Sequence, residues 1–200
     1  MMNISHDLLY RQGRVLSLHY AISERDEHTL ISIIEEGKTH DLYYCDYIIQ
    51  DVRFVQNQTT EEIMITWLAW TDSRRMHSRT YLLSLNESFV VQRVDLLKTT
   101  YIGREKNIFP TAVQFENLLL LAQINLVEGR VSLSLHDIET LDVTLPITLI
   151  QESISYDFYH RPERCLEKFC VTKVDTNEAA IMFYDEFDER CIYTCRMNSV

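Results

Sequence analysis

Glycine and proline are scarce, with four and three respectively among 200 residues. That excludes a collagen-like or linker-like chain. No apolar run approaches the ~20 residues that a membrane-spanning helix needs. Basic residues are the minority, 19 Lys and Arg against 30 Asp and Glu, for a net charge of −11. Nucleic acid and anionic membranes reward the opposite balance, so neither is expected as a partner. The first residues, Met1 to Asp7, lack a basic stretch followed by a long apolar one. No secretory leader is read there, and an intracellular location, cytoplasmic or nuclear, is expected. Five cysteines, four of them between Cys165 and Cys195, are then expected as reduced thiols.

What the chain does have is apolar content, at 46% hydrophobic residues, enough to bury a core and to exclude disorder. The apolar residues recur with period 2 in short runs such as Arg14–Tyr20, Glu62–Trp67, Thr80–Leu85 and Arg130–Leu135. No segment shows the 3.6-residue spacing and caps of an amphipathic helix, so the fold class expected is all-β. Hairpins are expected at Glu36-Gly37-Lys38, Glu128-Gly129-Arg130 and Asp175-Thr176-Asn177.

The runs also repeat. Those beginning near Thr29, Thr80, Val131 and Ala180 are spaced by about 50 residues, and each has one run after it and two before it. Four units follow, at about 4–47, 51–95, 111–146 and 154–197, together forming one domain over 1–200. Middle runs such as Leu118–Ala122 and Ile63–Trp70 are apolar on both faces, as strands stacked between neighbouring sheets must be. The outer run Val90–Asp95 carries charge, as a half-exposed strand can. This pattern resembles the β-propeller class in general, in the style of WD40-like or kelch-like blades. The chain has no Trp-Asp or Gly-His signature and no double glycine. The resemblance implies four four-stranded antiparallel blades, as a four-bladed or partial β-propeller that another chain completes. A β-sandwich is the alternative.

Few residues are arranged for chemistry. There is no Gly-x-Ser-x-Gly elbow, phosphate-binding glycine loop, dinucleotide fingerprint or His-x-x-x-His pair. Cys191 and Cys195 lie in a strand-like run, where their Cα atoms stand about 13 Å apart, too far to share a zinc ion. No metal and no cofactor are therefore expected. Trp67 and Trp70, three positions apart, fall on opposite strand faces as blade packing. The acidic pairs Asp185-Glu186 and Asp188-Glu189 read as a solvated tip.

One stretch opposes the overall charge. Seven of the 19 basic residues fall between Arg74 and Lys106. Most sit in two expected loops, Asp72–Ser78 and Lys98–Phe109, that emerge on one propeller face. Arg74, Arg75, His77, Arg79, Lys98, Tyr101, Arg104 and Lys106 are thus the candidate partner-binding residues, suited to an acidic or phosphorylated protein segment. No catalytic residue is assigned. The function expected is a non-enzymatic protein–protein interaction or scaffold module, a subunit of a larger complex. The alternative is a hydrolase on an all-β scaffold, using loop carboxylates such as Asp72 or Asp137.

Overall fold

The computed structural model describes residues 2–23, 28–47, 49–56, 62–70, 77–101, 108–125, 130–151, 169–184 and 190–196. They form fifteen strands and, among the described residues, no helix. The strands make four antiparallel sheets, each a simple meander in chain order. The first contains β1 (Met2–Arg11), β2 (Arg14–Ser23), β3 (His28–Glu35) and β4 (Lys38–Cys45). The second contains β5 (Ile49–Phe54), β6 (Ile63–Trp70), β7 (His77–Leu85) and β8 (Val91–Tyr101). The third contains β9 (Ile108–Phe115), β10 (Leu118–Asn125), β11 (Arg130–Asp137) and β12 (Val143–Gln151). The fourth has three described strands, β13 (Cys170–Asp175), β14 (Glu178–Tyr184) and β15 (Arg190–Arg196). The opening strand expected at 154–159 lies outside the described residues.

The corresponding strands β3, β7, β11 and β14 begin at intervals of 49, 53 and 48 residues, the repeat visible in the sequence. Two expected loops are shorter than the sequence suggested. His77 and Ser78 belong to β7, while Lys98 and Tyr101 belong to β8. The run Lys98-Thr99-Thr100-Tyr101 suits a strand, because β-branched and aromatic residues pair well across a ladder.

Glycine scarcity proves compatible with tight turns. Gln12 and Glu36 take positive φ (50° and 47°), each followed by a glycine at 78° and 80°. Both central residues of each turn are left-handed, the primed two-residue geometry that matches strand twist. These turns close the pairs Arg11↔Arg14 and Glu35↔Lys38. Of these two, the hairpin at Glu36-Gly37 was expected from the sequence. The hairpin at Gln12-Gly13 was not.

The chain divides into two compact units, Met1–Phe54 with Thr60–Glu105, and Val55–Thr59 with Lys106–Val200. In the first, Leu16, Leu18, Tyr20, Ile31 and Ile33 pack with Val52, Phe54, Ile63, Ile65, Trp67 and Leu83 in one core. Trp67 is its largest member: its ring stacks on Tyr81 (5.4 Å between centroids, 15° between planes) and tilts against Tyr43. Trp67 is thus the packing residue expected, and the side chain of Trp70 lies outside the described set. In the second unit Val113, Leu120, Val131 and Leu133 pack with Phe169, Val171, Ala179, Ile181 and Phe183. Here Gln56 bonds to the middle of β9, its N–H donating to the Ala112 carbonyl and its carbonyl accepting from Gln114 N–H (2.9 and 3.0 Å).

Candidate functional site

The first strands of the first two sheets carry the chemistry that the sequence reading missed. β1 is irregular at Ser5/Asp7, where its register with β2 shifts. The shift presents the half-buried Asp7 carboxylate to β5: Oδ2 accepts the N–H of Phe54, and Oδ1 that of Leu8, both at 2.8 Å. Two backbone donors orient this carboxylate. The contact also sets the first strands of two successive sheets side by side within the first unit.

On β5 a second acidic group lies three residues back from Phe54. Asp51 has φ 57°, a left-handed conformation that costs about 1 kcal/mol or more for a residue with a Cβ. It falls within a bulge between Gln50 and Arg53. Its Oδ1 accepts from Arg53 Nε at 2.9 Å, and both residues are only 4% exposed. This i, i+2 ion pair occupies a strand that is otherwise Ile, Val and Phe among its described side chains. Tyr20 on β2 feels the same charge. Burial first, and the Asp51 carboxylate second, push its phenol above the ordinary tyrosine range. Its hydroxyl therefore stays protonated and can donate a hydrogen bond. Strained backbone, a buried ion pair and a perturbed phenol converge here, a combination common at functional sites. The sequence signal was the Asp51-Val52-Arg53 triplet, a charge pair where a short buried strand had no other use for one.

The carboxylates considered from the sequence are placed differently. Asp72 lies outside the described residues, as do Asp185, Glu186, Asp188 and Glu189. Asp137 closes the turn after β11: its Oδ1 accepts the N–H groups of Glu139 and Thr140 at 2.9 and 2.8 Å. These bonds to Thr140 and Glu139 hold its pKa below the usual carboxylate value. Its acceptor atom serves the turn.

Of the partner-binding residues, Arg74, Arg75, Arg104 and Lys106 lie outside the described set. The register places His77 opposite Tyr101, Arg79 opposite Thr99 and Lys98 opposite Thr80, all at one end of the β7–β8 ladder. Strand alternation sets Arg79 and Lys98 on opposite faces of that sheet. Burial lowers the Lys98 pKa, which weakens it as a surface cation.

Two Ser-Leu-His triplets form a repeated contact. Ser17 Oγ meets His19 Nε2 at 2.7 Å on β2, and Ser134 Oγ meets His136 Nε2 at 2.8 Å on β11. In the second triplet Nδ1 lies 3.3 Å from the Leu141 carbonyl, and the whole arrangement is buried. The same geometry, once half-exposed and once enclosed, reads as a strand-face brace. Cys45 is buried and its thiol is pushed to about 12, which leaves it unreactive. Cys191 and Cys195 turn towards the core of the second unit. Among the described residues no group of three or more His, Cys, Asp or Glu is placed to hold a metal ion.

No protein-family model matches the chain, and no curated protein sequence does. No WD40 or kelch subtype is therefore assigned. Solved structures do match in fold. The β-propeller domain of the trilobed protease from Pyrococcus furiosus, described as having an open velcro topology, aligns over 100% of this chain at 9% identity (TM-score 0.55). The chain spans 56% of that domain's length. The α-L-arabinofuranosidase from Lactobacillus brevis aligns over 94% of this chain and 70% of its own, at 11% identity (TM-score 0.53). The second of these proteins is an enzyme, so the expectation of a non-enzymatic chain, which rested on missing motifs, is corrected: a chain of this fold is not excluded from catalysis by their absence. The chain is an all-β protein of four antiparallel sheets with the fold of a partial β-propeller.

Proposed function

We propose that the chain is the carboxylate-bearing part of a hydrolase built on a propeller scaffold. The observation that carries this reading is the Asp7–Phe54 hydrogen bond, which sets the Asp7 carboxylate against β5, the strand that bears the Asp51–Arg53 pair. Carboxylate hydrolysis needs acidic groups in unlike environments, so that one acts as base or nucleophile while another group supplies a proton or fixed charge. Asp7 is half-buried and oriented, and is the group able to meet a substrate or water. The Asp51–Arg53 pair on β5 supplies fixed charge, and the Tyr20 hydroxyl on β2, close enough to feel Asp51, is a protonated donor. The arabinofuranosidase of similar fold supports testing glycosides first.

The test is a screen of the full chain against fluorogenic aryl glycosides, including an α-L-arabinofuranoside, aryl esters and aminoacyl amides. Turnover of one class is expected, with Asp7→Asn lowering kcat/KM by about a hundredfold or more while circular dichroism is unchanged. Folded wild-type protein inactive on every class, or an Asp7→Asn variant of equal activity, would contradict the proposal.

A further inference from the structure

Sheet faces differ in how far they are covered. β6 and β10 are buried on both faces, from Met64 to Ala69 and from Leu119 to Ala122. β2 alternates instead: Leu16, Leu18 and Tyr20 are buried, whereas Val15 is exposed and Ser17 and His19 are half-buried. The pairs Leu8↔Ser17, Tyr10↔Val15, Ser17↔Ile34 and Leu30↔Tyr44 carry that outer face across all four strands of the first sheet. A sheet face left in water is normally polar. This one is not: Leu8, Tyr10, Val15 and Tyr44 are 57% to 75% exposed.

The outer face is also depleted of charge. Alternation sends Arg14 and Glu35 to the other side, where the Arg14 guanidinium lies over the Phe89 ring. Among its described residues the outer face keeps one carboxylate, Asp41 opposite Ser32, and no lysine or arginine. Apolar and tyrosine-bearing surface with little charge is the composition of an interface core. The Ser17–His19 brace lies on this face, and the same brace at Ser134–His136 is wholly enclosed. Asp7 pairs with Leu18 on the opposite face, so a cover here leaves the candidate site clear.

We infer that the outer face of the first sheet is the contact with a second copy of this chain, stacked face to face about a twofold axis. Four strands about 4.8 Å apart and 8 to 10 residues long present a face of roughly 550 Å². Two such faces bury about 1,100 Å² together, just past the ~1,000 Å² expected of a specific interface. Chains of net charge −11 repel each other, and an almost uncharged face removes that obstacle to self-association. A twofold contact uses the same patch twice and therefore closes at two chains.

Sedimentation velocity of the full chain from about 1 to 200 μM is the test. A monomer–dimer equilibrium is expected, half-associated at about 10 μM. Tyr10→Lys with Val15→Lys should weaken it by about a hundredfold or more, with circular dichroism and thermal midpoint near wild type. Val174→Lys with Ile192→Lys, at exposed apolar positions of the fourth sheet, should leave it unchanged. In a mixed labelled and unlabelled sample, intermolecular Overhauser contacts should fall on the Leu8, Val15 and Ile34 methyl groups, a readout that needs no variant. A chain still monomeric at about 200 μM would leave the face to a different protein and overturn the inference. Growth beyond a dimer, a dimer that persists in the Tyr10/Val15 variant, or one lost in the Val174/Ile192 variant would overturn it equally.

Discussion

Leu120→Asp is expected to leave no cooperatively folded protein. Leu120 sits mid-strand in β10, opposite Val113 and Leu135, and is 2% exposed. Both partners belong to the core of the second unit, so the new carboxylate has apolar neighbours on either side. An unpaired buried charge together with the lost leucine costs about 4–5 kcal/mol or more, much of a domain's total stability. Val143→Asp is the control. Val143 is half-exposed at the start of β12, and its substitution should shift stability by no more than about 0.5 kcal/mol. Soluble Leu120→Asp protein melting near the wild-type temperature would contradict the placement of β10.

The second large effect is expected at Asp51. Its carboxylate accepts from Arg53 Nε, and both side chains are almost wholly buried. Asp51→Ala removes that acceptor while the guanidinium stays enclosed, so a loss of about 3 kcal/mol or more is expected in urea unfolding. Replacing both partners, as Asp51→Leu with Arg53→Met, removes the desolvated charges together and should cost less than Asp51→Ala alone. A double variant less stable than the single one would show that the pair stabilises the sheet beyond its desolvation cost. An Asp51→Ala variant as stable as wild type would show that the pair is not buried.

Much of this architecture was legible because strands announce themselves by alternation. The runs Arg14–Tyr20, Glu62–Trp67 and Arg130–Leu135 each fall on a strand, and the runs beginning near Thr29, Thr80, Val131 and Ala180, about 50 residues apart, became the corresponding strands of four meanders. Boundaries were less legible where an outer strand carries charge: Lys98 and Tyr101 read as loop, although the backbone ladder continues through them. The hairpin at Gln12-Gly13 was missed because left-handed φ falls on a glutamine, a residue with no turn signature.

The candidate site was much less legible. Asp7 and Asp51 are 44 positions apart in sequence, and a hydrogen bond from Phe54 N–H to the Asp7 carboxylate sets Asp7 against the strand that carries Asp51. Asp137, one of the two loop carboxylates that the sequence singled out, is occupied with its own turn, as Asp in a strand-to-strand connection often is. Function was read from missing motifs, yet carboxylate sites are defined by geometry and leave little trace in spacing.

Cross-strand nuclear Overhauser contacts between Hα and amide protons of an isotopically labelled chain test the four-meander fold most directly. The account predicts contacts at the antiparallel pairs Tyr20↔Ile31, Ile65↔Leu83, Leu120↔Leu135 and Ile181↔Tyr193, one in each sheet. Parallel contacts, partners displaced along the strand, or pairing of the same strands across different repeats would contradict it.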